Sequence, residues 1–372
     1  MKVVTLDASS GKDRLKFIKY PLELYSRSEL YVPHLVLERK NFFNPRKNPF
    51  FRHADVEYYL ALSDTGEVLG RISAQVDWNY IECQKDKSGF FGFFDCVDDV
   101  AVAGALFEKV CEFHRKRAME RVLGPMNFNT NDELGLLVDG FDTIPYIMMP
   151  YNYPYYEQLI ANCGFSKVKD LYAYQVKYDG TVPEFITRIS DRVKKRYGIH
   201  LRKFNLKDFD SDLRLVNMIY NSAWQHNWGF VPRTDEDIEY IAADLKQIVD
   251  PDLAYFAYVG DQPAGFFLAL PDYNLIFRKL KGRLFPFGIL KLLLGRKKID
   301  RLRVLVMGVI EEYRKIGIEA PMFQEIYRVG PTSGYFEGEI SWILEDNVAM
   351  NRIIARIVER PYKIYRIYGR GL

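Results

Sequence analysis

The segment Val304-Leu-Val-Met-Gly-Val-Ile-Glu-Glu-Tyr-Arg-Lys-Ile-Gly-Ile-Glu-Ala320 decides the fold class. The apolar run from Arg303 to Val309 predicts a β-strand, and the residues after Ala320 have the spacing of an amphipathic helix. The loop between them contains Arg314 and Gly317. Because the first N–H groups of a helix are unpaired and carry positive charge, such a loop is able to bind a phosphate. A solvated turn explains the same residues, since many α/β connections contain one Arg and one Gly.

The chain then continues with a strand, a helix and a last strand. The run Gly338-Glu-Ile-Ser-Trp-Ile-Leu-Glu-Asp-Asn347 predicts the strand, 347–357 the helix and 362–368 the final strand. With a strand ending in Gly308-Val309 before it, the spacing Arg314-x-x-Gly317 resembles the acyl-CoA pyrophosphate loop of the GNAT superfamily of N-acyltransferases. In that superfamily an Asn opens the next helix. Asn347 matches it, and helix capping explains an Asn there equally well.

This resemblance implies an α/β fold with a mixed sheet, acetyl-CoA or a longer acyl-CoA as the donor substrate, and no metal. Two positions depart from the family. Glu319 puts a carboxylate where Gly or Ala is usual, and Ile354 stands where many members have a Tyr that protonates the leaving thiolate. The donor residues that the resemblance implies are Met307, Gly308, Val309, Arg314, Lys315, Ile316, Gly317, Ile318, Glu319, Ala320 and Asn347.

The chain also repeats itself. Residues 58–74 and 254–270 both predict a strand, an Asp/Gly turn and a second strand, and the helix and strand at 155–176 parallel the terminal helix and strand. We therefore predict two tandem GNAT-like units, at 1–185 and 186–372.

The first unit is predicted to be a degenerate copy. Its connecting loop at 95–100 has three carboxylates and neither Arg nor Gly, which suits helix capping and would repel a diphosphate. The basic run at 187–204 predicts a helix that leads into the second unit. Phrases such as Gly-Phe-Phe-Gly-Phe-Phe and Ser-Trp-Ile-Leu-Glu-Asp-Asn are similar to a bacterial group of large GNAT-like proteins over almost the whole chain.

Candidate catalytic residues lie on the strand at 337–344. Glu339 and Ser341 share one of its faces, where a carboxylate could take a proton from an ammonium directly or through water. Glu345 follows this strand and is a third candidate. Hydrogen bonds to neighbouring strands, and a charge at a helix start in the case of Glu345, explain the same residues.

Candidate acceptor residues cluster ahead of the second hairpin, in the part of a GNAT domain that usually lines the acceptor cleft. The competing interpretation is a pair of indoles packed between domains with their N–H groups bonded. The acceptor candidates are Trp224, His226, Asn227 and Trp228.

Composition indicates a globular protein of two ordinary domains, with 372 residues, 48% of them hydrophobic and 27% charged. The four cysteines have no metal-ligand spacing, which argues against a zinc site and a disulfide framework. No apolar stretch approaches the roughly 20 residues of a spanning helix. We therefore expect a cytoplasmic protein.

One segment, 278–303, stands out by charge. It holds ten Lys and Arg and one Asp around an apolar centre, and we call it the basic segment. This composition predicts peripheral contact with the inner face of the membrane. The competing interpretation is an insertion whose leucines pack on the domain interface. The apolar centre disfavours nucleic acid as the partner.

The sequence therefore predicts an acyl-CoA-dependent N-acyltransferase that transfers an acetyl or longer acyl group to a small-molecule or lipid amine. The basic segment favours a long-chain amine, as in GNAT-type bacterial ceramide synthases, which acylate sphingoid bases. Two alternatives remain open: a tRNA-dependent aminoacyl transferase and a catalytically inactive GNAT-like binding module. The oligomeric state is not predicted.

Overall fold

A computed structural model describes residues 1–177 and 179–372, including their side chains except that of Asp244. The strands are β1 (Lys2–Leu6), β2 (Ala54–Leu62), β3 (Val68–Asp77), β4 (Ser88–Cys96), β5 (Arg121–Gly124), β6 (Leu136–Asp139), β7 (Ser166–Lys177), β8 (Ile199–Lys203), β9 (Ala254–Val259), β10 (Gln262–Pro271), β11 (Arg301–Val309), β12 (Glu337–Leu344) and β13 (Lys363–Gly371). The helices are α1 (Gly11–Leu24), α2 (Val36–Phe42), α3 (Trp78–Gln84), α4 (Val100–Arg115), α5 (Tyr156–Asn162), α6 (Glu184–Tyr197), α7 (Phe209–Trp224), α8 (Asp235–Leu245), α9 (Asn274–Leu280), α10 (Gly288–Gly295), α11 (Glu319–Thr332) and α12 (Val348–Ile354).

The two halves of the chain repeat one topology, as the sequence predicts. All strands join one mixed sheet in the order β1-β2-β3-β4-β5-β13-β7-β12-β11-β10-β9-β8, with β6 beside β13. In each half an antiparallel hairpin is followed by a third strand and then by a parallel fourth: β4 with β5, and β11 with β12. The mirrored strand order therefore shows two tandem units joined edge to edge.

The last strand of each half completes the sheet of the other half. The C-terminal strand β13 pairs with β5, Tyr368 opposite Gly124, whereas β7 pairs with β12, Gln175 opposite Glu339. The predicted unit boundary at 185/186 falls inside α6 and stays a prediction. In space, the units exchange their final strands.

Capping explains where two of these helices begin. The Asp99 carboxylate accepts hydrogen bonds from the first N–H groups of α4, 2.8 Å from that of Ala101. Asn347 accepts one from Met350 N at the start of α12. The predicted helix over 187–204 is wrong at its end, because Gly198, in the left-handed region, terminates α6 and the chain continues as β8.

The buried apolar side chains of the described residues form four clusters. One cluster fills the C-terminal half around β9, β10, β11 and α11, and two others fill the N-terminal half. A further cluster lies where the halves meet and takes Phe90 and Leu123 from one half and Tyr365 from the exchanged strand β13. The exchanged strands therefore fix the relative position of the halves.

A candidate acyl-transfer cleft

Strands β11 and β12 separate part-way along their length. They pair in parallel from Arg301 with Glu337 to Val304 with Ile340 and no farther. On the other side of β11, Ala269 pairs with Val304 and Leu268 with Val306, which leaves Leu305 as a bulge. A bulge bends a strand away from its neighbour. A wedge-shaped gap results between Leu305–Val309 and Ser341–Asp346, and we call it the cleft.

The corresponding gap in the N-terminal half is closed by the chain itself. Strands β4 and β5 also part after three residue pairs, but the loop after β5 then lies along β4. Met126 N donates to Phe91 O at 2.8 Å, and Phe93 N donates to the Asn127 side chain at 2.8 Å. All residues of β4 are buried, whereas Leu305–Met307 of β11 are half-buried. Among the described residues, β11 therefore has no strand partner on the β12 side beyond Val304, whereas the chain covers β4 beyond Phe90.

The cleft lies between two helices on opposite faces of the sheet. Gly308 faces α7, where a Cβ atom would lie 2.3 Å from the Trp224 ring, so glycine is required there. The neighbouring residue Val309 pairs with Gly265, whose Cβ position faces Ile318 at the start of α11. Because successive strand residues point to opposite faces, α7 and α11 cover opposite sides.

The predicted donor loop bends sharply into α11. Lys315 and Gly317 have φ values of 68° and 94°, in the left-handed region that favours glycine. Arg314 does not point into open space: its guanidinium donates to Ala223 O on α7 at 2.5 Å and thereby fastens the loop. Ile318 is buried, Lys315 is exposed and Ile316 is half-buried.

Helix α6 packs over this loop. A Cβ atom on Gly317 would lie 3.3 Å from Ile189 and 3.4 Å from Val193. Ser190 and Lys194 of α6 both donate to the Gln324 side chain of α11 at 2.7 Å. The exposed residues of α6 include several Lys and Arg, so the helix adds positive potential beside the loop.

Glu319 is itself an anion at the start of α11. Burial raises the pKa of its carboxyl, while a hydrogen bond from its own backbone N–H and the nearby Arg314 act in the opposite direction. The carboxylate therefore lies against an N–H group that a diphosphate would also use.

The position where many GNAT proteins carry a tyrosine is part of the core here, because Ile354 of α12 is fully buried. A different tyrosine reaches α12 from the exchanged strand β7. The Tyr174 hydroxyl donates to the Asn351 side chain at 3.0 Å. Tyr174 also pairs with Ile340, which pairs with Val304, so the three residues form a row across the inner end of the cleft. Sequence spacing could not reveal this residue, which belongs to the other half.

Two of the four predicted acceptor residues line the cleft on the α7 face. Trp224 covers Gly308 and stacks on Tyr220 with ring centres 4.9 Å apart. Trp228 packs on the same apolar cluster as Trp342 of β12, and its ring lies 6.0 Å from the Lys169 ammonium. The other two do not join them. His226 is exposed beside Glu311, and Asn227 forms the turn between the indoles.

A buried polar cluster occupies the inner end of the cleft on that face. Glu339 is fully buried and accepts hydrogen bonds from Ser341 Oγ at 2.6 Å and from the Tyr362 hydroxyl. Arg303 donates to Ser341 Oγ at 2.8 Å and lies 3.8 Å from the Glu339 carboxylate. The structure thus brings Glu339 and Ser341 together and adds Arg303 and Tyr362, which the sequence analysis did not select.

This cluster ties the cleft to the N-terminal half. Arg303 Nη1 donates to Ile147 O at 2.9 Å, and Lys363 donates to Gly140 O and Thr143 O. Burial lowers the pKa of Lys363 to about 8, although nearby Glu339 raises it. The available signal was weak: Arg303 precedes the apolar run of β11, which also contains Arg301, and Lys363 begins β13, which also contains Arg366 and Arg370.

Glu345 lies apart from these residues. Its carboxylate accepts hydrogen bonds from Lys167 Nζ at 2.8 Å and from Asp170 N at 3.0 Å, both on β7. Asn347 caps α12. The catalytic roles of Glu339, Ser341 and Glu345 stay predictions.

Comparison with known proteins identifies the family. The chain is 35% identical over 366 residues to the bacterial ceramide synthase of Caulobacter vibrioides, a match that covers 96% of this chain and 94% of the relative. It is 36% identical over 371 residues to Protein YghO of Escherichia coli, covering 97% and 94%. The chain belongs to the family of these two proteins. No protein-family model matches it.

Solved structures confirm the fold of this chain. A tandem GNAT protein from the clavulanic acid biosynthesis pathway matches with a TM-score of 0.55 and 12% identity, over 100% of this chain and 98% of the other. A GCN5-related N-acetyltransferase from Sphaerobacter thermophilus matches with a TM-score of 0.54 and 14% identity, over 99% and 95%. The predicted tandem GNAT architecture is confirmed, and family and fold together support acyltransferase activity.

The buried cluster generates a prediction about stability. Arg303→Met removes the guanidinium that lies 3.8 Å from the buried Glu339 carboxylate, and we expect the free energy of unfolding to fall by about 3–5 kcal/mol. Urea denaturation measures this loss. Adding Glu339→Gln should restore much of it, because the buried charge is then gone.

The control is Arg328→Met, which breaks an exposed ion pair with Glu325 on α11 and should cost less than about 1 kcal/mol. Equal losses in Arg303→Met and in the double variant would show that the guanidinium does not compensate Glu339.

Proposed function

We propose that this protein transfers an acyl group from acyl-CoA to the amino group of a long-chain amine of the sphingoid type. The cleft between β11 and β12 carries the proposal, because it lies in the half whose strand backbone is not covered by the chain itself. The relationship to a bacterial ceramide synthase supports the acceptor, since ceramide is the amide of a sphingoid base and a fatty acid.

The donor would lie along β11 and end at α11. Beyond Val304, the edge of β11 that faces the cleft has no strand partner in the described part of the chain. An extended molecule with amide groups, such as the pantetheine arm of CoA, is able to pair with such an edge. Its diphosphate would then reach the N–H groups at the start of α11.

The acceptor would enter from the α7 face. There the indoles of Trp224 and Trp228 offer apolar surface beside the cleft, and the amine would meet the donor carbonyl near Val304. The neutral amine attacks the thioester carbon, the C–N bond forms, the nitrogen gives its extra proton to water, and the C–S bond breaks with release of CoA thiolate. The substrate ammonium must first lose a proton, for which Glu339 remains the candidate acceptor, reached through Ser341 or water.

The CoA thiolate needs a proton, and the Tyr174 hydroxyl is suited to donate it. Burial raises the pKa of its hydroxyl, so the phenol is protonated at neutral pH. The hydroxyl is held by Asn351 of α12, and we propose that the donor thiol lies beside it. We assign Tyr174 the role of proton donor in place of the missing tyrosine at Ile354.

The donor loop provides the test of the proposed reaction. With palmitoyl-CoA and sphinganine, the protein should release free thiol and form the amide, detected by mass spectrometry, and palmitoyl-CoA should raise its melting temperature. Gly317→Asp should abolish both effects, because the new side chain presses on Ile189 and Val193, displaces the loop and adds a negative charge.

Gly334→Asp is the matched control. Gly334 has a similar φ of 88° at the far end of α11 but open space around it, so this variant has the same backbone strain and should keep both effects. A thermal shift that survives in Gly317→Asp would place the donor elsewhere, and absence of amide with every amine would refute the reaction.

Glu319 should weaken donor binding by repelling the diphosphate. Glu319→Gln removes the charge and should tighten the binding of CoA by about fivefold, measured by calorimetry. In the wild-type protein the affinity should rise as the pH falls through the raised pKa of Glu319, since the protonated carboxyl no longer repels the ligand. The Gln variant should lose this part of the pH dependence.

Glu325→Gln, on the same helix but away from the loop, should leave CoA affinity unchanged. Weaker binding in Glu319→Gln would show that the carboxylate supports the loop instead of competing with the ligand.

Tyr174→Phe should lower kcat by about 10–100-fold while KM for acyl-CoA stays near the wild-type value, because only proton transfer to the thiolate is lost. The control is Tyr172→Phe, two residues away on the same face of β7. If both variants lose kcat equally, or if Tyr174→Phe raises KM alone, Tyr174 is not the proton donor.

A further inference from the structure

The basic segment exposes an unusual amount of apolar surface. Of the fourteen large hydrophobic side chains exposed in the described residues, six lie between 285 and 294. Phe287 is 70% exposed, Leu293 68%, Leu294 66% and Phe285 64%. The competing expectation that the leucines pack on the domain interface is therefore wrong for Leu293 and Leu294, whereas Leu292 does pack on the core.

Close helix packing explains which side of α10 faces outward. Gly295 lies against α9, where a Cβ atom would be 2.9 Å from the Ile276 side chain, and Gly288 is buried. With Leu292, these glycines form the inner side of α10. Leu290, Leu293 and Leu294 then lie on the opposite side, as residues three and four apart do on a helix.

Positive charge surrounds this apolar surface. All eight Lys and Arg residues between 278 and 298 are exposed, and none of them forms an ion pair with a carboxylate in the described residues. The other two cations of the basic segment, Arg301 and Arg303, are paired inside the protein with Asp272 and Glu339. The sole acid of the segment is Asp300.

We propose that residues 283–298 dock the protein on an anionic lipid surface. Exposed Phe and Leu side chains enter the outer part of the bilayer, while the surrounding cations contact the negatively charged headgroups. Among the described residues, none of the helices combines the length and apolar character needed to cross a bilayer, so the contact is peripheral. The binding itself does not depend on the proposed reaction.

Two other occupants fit the surface less well. A second copy of the chain, docked through the same patch, would oppose eight cations to eight cations. A nucleic acid would leave the apolar side chains without a contact, since its affinity arises mainly from phosphates.

The segment is held rigidly to the inner end of the cleft. Asn274 of α9 donates to Pro145 O at 2.9 Å, and Asp272 accepts a hydrogen bond from Ile147 N at 2.8 Å. The carbonyl of Ile147 accepts from Arg303 of the buried cluster. If the proposed reaction holds, docking therefore fixes the orientation of the cleft relative to the bilayer from which a lipid amine would come.

Co-sedimentation of the full chain with vesicles tests the docking. The protein should bind vesicles of phosphatidylglycerol and phosphatidylcholine and much less to phosphatidylcholine alone, and salt should weaken the binding. Replacing Leu290, Leu293 and Leu294 by Ser should reduce the bound fraction about tenfold or more at limiting lipid. Replacing Lys291, Lys297 and Lys298 by Gln should have a similar effect.

Each variant has a matched control elsewhere on the surface. Leu206, Met218 and Phe336 replaced by Ser remove three exposed apolar side chains, and Lys12, Lys19 and Lys207 replaced by Gln remove three exposed charges. Both controls should bind vesicles like the wild-type protein. The target side chains are exposed, so the melting temperature of the Ser variant should change little.

Any of four outcomes would overturn the proposal. Equal binding to neutral and anionic vesicles, or binding that the Ser variant retains, would remove the lipid surface as the occupant. Vesicle binding that falls in the Gln variant but not in the Ser variant would indicate that the surface binds a polyanion such as RNA. A dimer that the Ser variant converts to a monomer, measured by sedimentation, would indicate a second copy. The thermal shift with palmitoyl-CoA should persist in all these variants, which separates a failure of docking from a failure of the proposed function.

Discussion

The buried guanidinium of Arg303 is the interaction on which the site depends. A charge that is removed from water must be compensated by hydrogen bonds and by an opposite charge. Its partners are Ser341 and Glu339 on β12 and two carbonyl groups of the N-terminal half. Because these partners come from different parts of the chain, the hydrogen bonds of one cation fix both the wall of the cleft and the segment around Ile147 and Met148.

The two halves show how one topology gives a closed and an open gap. Both halves have a parallel strand pair that parts after a few residues, since a bulge or a bend follows the last paired position. In the first half the chain turns back after β5 and lays residues 125–128 along β4. In the second half the chain passes from β12 through a short turn into α12, and no described strand pairs with the cleft-facing edge of β11 beyond Val304. The closed and the open gap therefore differ in the path of the chain after the fourth strand of each half, while the strand topology is the same.

Local chemistry explains what could be predicted from the sequence. Alternation and turn residues located the strands, and β12 has the bounds Glu337–Leu344 that its pattern indicates. The loop around Gly317 was found because strand, glycine and helix are adjacent. The exchange of β7 and β13, the carbonyl partners of Arg303 and the place of Tyr174 depend on contacts between residues more than a hundred positions apart, for which a single sequence carries little signal. The sequence also identified the cluster of Trp224, His226, Asn227 and Trp228, but it could not show that His226 points to solvent beside Glu311.

The exchange of final strands has a consequence for synthesis on the ribosome. Strand β5 finds its second neighbour only in residues 368–371, far later in the chain than its first neighbour β4. Until those residues leave the exit tunnel, the nascent N-terminal half holds an exposed strand edge, which invites pairing with other chains. The sheet therefore closes at β5 only after residues 368–371 have been synthesised, and until then the edge of β5 must be shielded from other chains.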